Sequence, residues 1–110
     1  MGGAAMKKYY HATDYNNLGS ILANGLKPSV EGIVFMTEKP IDAVKFVALR
    51  GIPKILVVEI KTLKKHEKDI IETSDHNHSF FDCKSYGFMG GIDTSMLTDY
   101  IMYENPLFKN

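Results

Sequence analysis

An α+β domain with its helices early and its sheet late is what this sequence predicts, and three observations predict it. Leu18, Ile21 and Leu22 repeat at helical spacing, with Tyr15 one turn earlier, and the pattern stops at Gly25. Ile55-Leu56-Val57-Val58-Glu59-Ile60 is a nearly continuous apolar run of strand length. The order along the chain is strand, helix, strand, helix, and then mostly strands. A chain of 110 residues, 45% hydrophobic, has material for one core and not for two.

Lys8 to Ala12 alternates weakly and is rich in tyrosine, which reads as a short strand. Thr13 or Asp14 can cap a helix over 15–24 through a side-chain oxygen. Leu26-Lys27-Pro28 leaves that helix extended, because the residue before proline resists helix. Gly32 to Thr37 is a second strand, β-branched and aromatic. Thr37 or Glu38 opens a second helix with Pro40 in its first turn, buried through Ala43, Val44, Phe46 and Val47 and ended by Gly51-Ile52-Pro53. The apolar run 55–60 is a strand covered on both faces and central. Residues 61–78 are a polar excursion with one edge strand at Ile70-Ile71. Phe80-Phe81 and Tyr86 to Met89 return to the core, Gly90-Gly91 breaks the chain, and Thr98 to Tyr103 is the last strand before Pro106.

Charge and cysteine content narrow the function classes. Thirteen basic and thirteen acidic residues sum to a formal charge of zero, so no overall field draws the chain to nucleic acid or to an anionic membrane. Twelve of the basic residues are lysines and one, Arg50, is an arginine, which leaves few planar forks for phosphate. The single cysteine, Cys83, forms no internal disulfide, and a reducing, cytoplasmic setting is expected. No apolar stretch approaches the roughly 20 residues of a bilayer span, so no membrane partner is expected. Met1-Gly2-Gly3-Ala4-Ala5 reads as a cloning remnant ahead of a natural start at Met6, leaving 6–110 as the single domain.

A few side chains invite chemistry. His11 and Thr13 lie two apart and share one face of a strand, where an imidazole and a hydroxyl could together hold a sugar hydroxyl. The alternative is local: Thr13 caps the helix and His11 satisfies a nearby carbonyl. Asp99 begins an otherwise apolar strand, either at a solvated end or aimed into a pocket, and Glu104 follows that strand. His76 and His78 form an H-x-H pair, yet no cysteine or further histidine stands at a metal-ligand spacing, and no metal is expected. The lysines of "KTLKKHEKD" are interrupted by Glu67 and read as a solvated loop, and Cys83 reads as core.

Taken together, "YYHAT", "ILANGLKP", "EGIVFMTEKPIDAVKF" and "MLTDYIMYE" resemble the ADP-ribosyltransferase superfamily, in matching order and over most of the chain. The resemblance implies an ADP-ribosyltransferase-like fold, two small packed β-sheets with two early helices. Through "ALRGIPKILVVEI" the chain looks like the NAD-binding lobe of RNA 2′-phosphotransferases, and Arg50 falls where that family has its arginine. The family's N-terminal lobe and its other arginines have no counterpart here. "MLTDYIMYE" is more similar to the last conserved strand of poly(ADP-ribose) polymerases. On that resemblance His11 matches the histidine placed on the adenosine ribose of NAD, and Ala12 the glycine whose backbone holds the nicotinamide amide. Val34 falls where the stacking tyrosine would be, and Asp99 where the catalytic glutamate would be. Phe35 or Phe46 is left to supply the missing ring.

The resemblance implies a small NAD-dependent ADP-ribosyltransferase that moves ADP-ribose to a macromolecular acceptor, protein or nucleic acid, with NAD as substrate. NAD would be bound by His11, Ala12, Thr13, Val34, Phe35, Phe46 and Arg50. Asp99, or alternatively Glu104, would stabilise the oxocarbenium-like ribose formed as nicotinamide leaves, with His11 beside it. Asp99 is one methylene shorter than glutamate, and a misplacement of about 1 Å can cost on the order of 100-fold in rate. Cationic nicotinamide favours an aromatic face, and Tyr9, Tyr10, Phe35, Phe46 and Tyr86 are the rings available. The alternatives are a catalytically degenerate domain that binds NAD or ADP-ribose, an inhibitory interaction module of the same fold, and an RNA 2′-phosphotransferase-like enzyme.

Overall fold

The computed structural model describes residues 5–73 and 85–108. The elements are β1 (Ala5–Asp14), α1 (Leu18–Asn24), β2 (Ile33–Thr37), α2 (Pro40–Ala48), β3 (Lys54–Leu63), β4 (Ile70–Glu72), β5 (Ser85–Met89) and β6 (Leu97–Glu104). The strands form one six-stranded sheet in the order β4-β5-β2-β1-β3-β6, with every neighbouring pair antiparallel. The domain is therefore α+β, as its pattern predicts. Phe80, Phe81, Cys83, His76 and His78 lie outside the described residues.

The two helices cover opposite faces of the sheet. On one face Tyr9, Val34, Met36, Leu56, Val58, Ile60 and Phe88 pack with Ile21 of α1 and with Leu26, Ile92 and Met96. On the other, Ala12, Ile55 and Val57 pack with Ala43, Val44, Val47 and Ala48 of α2. Alternate residues of β3 thus serve both cores, which is why its 55–58 stretch is apolar throughout rather than alternating. Each of its fully buried branched side chains is worth about 1.5–3 kcal/mol of transfer free energy. The central position expected for it falls instead to β2 and β1, and β3 lies one strand in from the β6 edge. Among the described residues, no helix is long and apolar enough to cross a membrane.

Local chemistry sets the helix boundaries. Asp14 is the cap, its carboxylate accepting the Asn16 N–H at 2.9 Å, and residues 15–17 form a 3-10 turn before α1. Thr13 is drawn elsewhere, accepting the Asn17 side-chain amide at 2.9 Å. Gly25 ends α1 at φ 79° and ψ −165°, backbone that side chains other than glycine's rarely adopt. A Cβ there would overlap the Ile92 carbonyl, and on the next residue Leu26 exchanges both backbone hydrogen bonds with Ile92. Pro40 opens α2, but the cap residue is Lys39 rather than Thr37 or Glu38. The Thr37 hydroxyl donates to the Lys39 carbonyl at 2.7 Å.

The two packed sheets that the family resemblance implies are here a single sheet, nearly divided. β1 and β3 pair from Ala5–Leu63 to Asp14–Ile55, with an irregularity near Ala5. β1 and β2 share one pair among the described residues, Tyr10–Thr37. β2 then pairs along its whole length with β5.

Candidate functional site

The division between β1 and β2 follows from hydrogen-bond direction. The Asn105 N–H donates to the Pro53 carbonyl at 2.9 Å, one register step beyond the Lys54–Glu104 pair. In an antiparallel ladder successive residues aim their backbone groups to opposite sides, so odd-numbered residues of β3 face β6 and even-numbered ones face β1. On β1, His11 and Thr13 then bond back to β3, while Tyr10 and Ala12 aim at β2. Tyr10 meets Thr37, but Ala12 aims its N–H and carbonyl into a gap.

What holds the gap open is His11. Its Nδ1 lies 2.6 Å from the Phe35 carbonyl, which by the same alternation points at β1 and would otherwise take a ladder bond. A carbonyl only accepts, so Nδ1 carries the proton and Nε2 presents a lone pair. Burial, with a smaller contribution from the positive charge of Arg50, pushes the His11 pKa below its ordinary value against the opposing pull of the Phe35 bond. The ring is therefore neutral at pH 7, a donor on one side and an acceptor on the other.

The resulting cleft has a volume of about 480 Å³, within the ordinary range of small-molecule sites. It is lined by the residues that the family resemblance implies for NAD: His11, Ala12, Thr13, Val34, Phe35, Phe46 and Arg50. Val34 is 2% exposed and belongs mainly to the α1-side core. Of the candidate rings, Tyr10, Phe35 and Phe46 line the cleft. Tyr9 and Tyr86 instead meet edge to face, centroids 5.3 Å apart, beneath the Lys7 ammonium, which pairs with Glu38. A shelf of about 250 Å³ shares His11, Thr13 and Lys27 with the cleft and runs along Asn17 and Ser20.

Asp99 and Glu104 are not part of this site. Both are exposed on β6, which pairs with β3, so a whole strand stands between them and β1. Asp99 lies opposite Glu59, and its carboxylate accepts the Tyr100 N–H at 2.8 Å. Glu104 lies opposite Lys54. His11 and Asp99 thus stand on β1 and β6, which are not neighbours in the sheet.

Among the lining residues that sequence reasoning passed over are Lys27, Ser29 and Glu31. All three sit on the stretch after Gly25, which the Leu26–Ile92 bridge turns toward the gap. The signal that could have found them was the glycine-to-proline turn of "NGLKP". The Tyr10 hydroxyl donates to Glu59 at 3.1 Å, which steadies its ring. Glu59 is held below the usual carboxylate range chiefly by the Thr98 hydroxyl at 2.7 Å, then by Tyr10 and Lys8. No group of metal-ligating side chains occurs among the described residues.

Cations at Lys27 and Arg50, hydroxyls at Thr13 and Ser29, a neutral imidazole acceptor and three rings line one space. Such a lining suits a molecule with phosphates, sugars and a flat ring system. No protein-family model matches the chain, and no curated protein matches it.

Proposed function

We propose that this chain binds NAD or its ADP-ribose part in the cleft between β1 and β2, as a domain of the ADP-ribosyltransferase kind. The observation that carries the reading is the His11 wedge. One imidazole separates two strands, leaves the Ala12 backbone groups unladdered at the gap, and offers Nε2 to a ligand hydroxyl. Arg50 and Lys27 supply charge for a diphosphate, and Tyr10, Phe35 and Phe46 supply faces for a planar cationic ring. Asp99 does not line the cleft, which favours retention of the nucleotide over transfer of ADP-ribose through that acid.

Transfer remains a second reading because Glu31 is a carboxylate at the cleft wall. One experiment separates the two. NAD and ADP-ribose affinities are measured by calorimetry, and nicotinamide release from NAD is followed for the parent chain and for His11→Ala, Glu31→Gln and Asp99→Ala. Binding weakened about tenfold in His11→Ala, with no release by any form, supports the binder. Release abolished by Glu31→Gln supports the transferase. Loss of release in Asp99→Ala, or no binding by the parent chain, overturns the proposal.

A further inference from the structure

At the opposite side of β3 from the cleft, the sheet ends on an unusual edge. β6 carries Tyr100, Ile101 and Met102 in succession, 45%, 51% and 40% exposed. An edge strand of this length normally carries a lysine, a proline or a bulge among its central residues as protection against pairing. β6 has none of these over 99–104, its one register irregularity falling at the start, where Ile60 pairs with Leu97. The other edge, β4, has three residues, too few to template a ladder.

The backbone phase shows what β6 offers. Since Asn105 bonds inward to Pro53, odd-numbered residues of β6 are committed to β3 and even-numbered ones aim outward. The outward direction of the Tyr100 N–H is seen directly, because the Asp99 carboxylate has taken it. Met102, two residues on, aims its N–H and carbonyl the same way.

We propose that β6 pairs antiparallel with β6 of a second copy about a two-fold axis at Ile101, joining the two sheets into one. The phase permits hydrogen-bonded pairs only between even-numbered residues. Centring on Ile101 sets Tyr100 opposite Met102 of the second copy, twice, and brings the two Ile101 side chains together at a closely spaced pair. The same register places Asp99 opposite Tyr103 and Thr98 opposite Glu104. The arrangement in which Asp99 would face Glu104 needs an odd residue to bond outward and is excluded. Like charges are thus kept apart, and a chain of zero formal charge has no long-range repulsion against its own copy. On pairing, the Tyr100 N–H passes from Asp99 to the Met102 carbonyl of the second copy. The edge is isologous, as two-fold dimers require.

Sedimentation velocity over a concentration series tests this, with far-ultraviolet circular dichroism to confirm folding. The parent chain is expected to reach a dimer. Ile101→Lys, which sets two ammonium groups face to face, weakens it about tenfold or more. Met102→Pro removes only an outward N–H, so it leaves the monomer folded and blocks pairing. In a Cys83→Ser background, Ile101→Cys oxidises to a disulfide-linked dimer more readily than Met102→Cys, because Ile101 faces its own copy whereas Met102 faces Tyr100. A parent chain that stays monomeric at every concentration overturns the proposal. So does a dimer indifferent to both Ile101→Lys and Met102→Pro, or cross-linking stronger at position 102.

Discussion

The two sides of β1 are built differently although one strand makes both. Toward β3 it is zipped from Ala5–Leu63 to Asp14–Ile55, and Ile55 to Val58 beneath that seam are buried on both faces. Toward β2 it has the pair Tyr10–Thr37 and then a histidine ring bonded to a strand carbonyl. The closed seam supplies stability and the open seam supplies a concave polar space, so one strand is both scaffold and wall. Rigid backing on one side is what lets the other side hold unladdered backbone groups without collapse.

Breaking the closed seam is expected to have the largest effect. Leu56 is wholly buried beneath it, and Leu56→Ala should lower stability by about 2–5 kcal/mol, read from the denaturant midpoint. A loss under about 1 kcal/mol would mean that this core is loosely packed. A smaller loss is expected at the edge of the open seam. Gly25→Ala forces a side chain into φ 79° and against the Ile92 carbonyl, costing about 1–3 kcal/mol. It also shifts Lys27, Ser29 and Glu31, so nucleotide affinity in the folded fraction should fall with it. Unchanged affinity would show that the 27–31 stretch does not touch the ligand.

The smallest effect is a pH dependence that belongs to the open seam alone. His11 binds its proton less readily folded than unfolded, because burial and then Arg50 disfavour the imidazolium. The stability of the neutral form is fully present above the unfolded value of about 6.5. It is lost as pH falls from there toward the depressed folded value, at no more than about 1.4 kcal/mol per pH unit. Thermal melts of the parent chain and of His11→Gln between pH 7.5 and 5 check this (roughly the window set by an ordinary histidine). The slope should be shallower in the variant, and equal slopes would place the histidine effect elsewhere.

Much of this was legible in the chain. Gly25 and the apolar spacing before it located the end of α1, and the unbroken run 55–60 announced a strand covered twice. The motif "YYHAT" gathered four cleft residues because neighbours in sequence are neighbours in space. Asp99 was harder to place, because a carboxylate opening an apolar strand reads the same at a site and at an edge. "ILVVEI" and "TDYIMY" are similarly apolar, yet the first is buried on both faces and the second is largely exposed. Strand order separates them, and it is set by long-range pairing that no local pattern encodes.

By itself, then, the sequence determined the order of the main strands and helices, the stop of α1 at Gly25 and the two-faced burial of β3. Those properties depend on backbone preference and on the period of apolar residues, which act over a few positions. Only the tertiary structure decided that β2 parts from β1 at His11, that Glu31 and Lys27 reach the gap, and that Asp99 lies across β3 on an open edge. Each of these depends on which strands become neighbours and on the direction of their hydrogen bonds, and both are settled only when the whole sheet closes around its two cores.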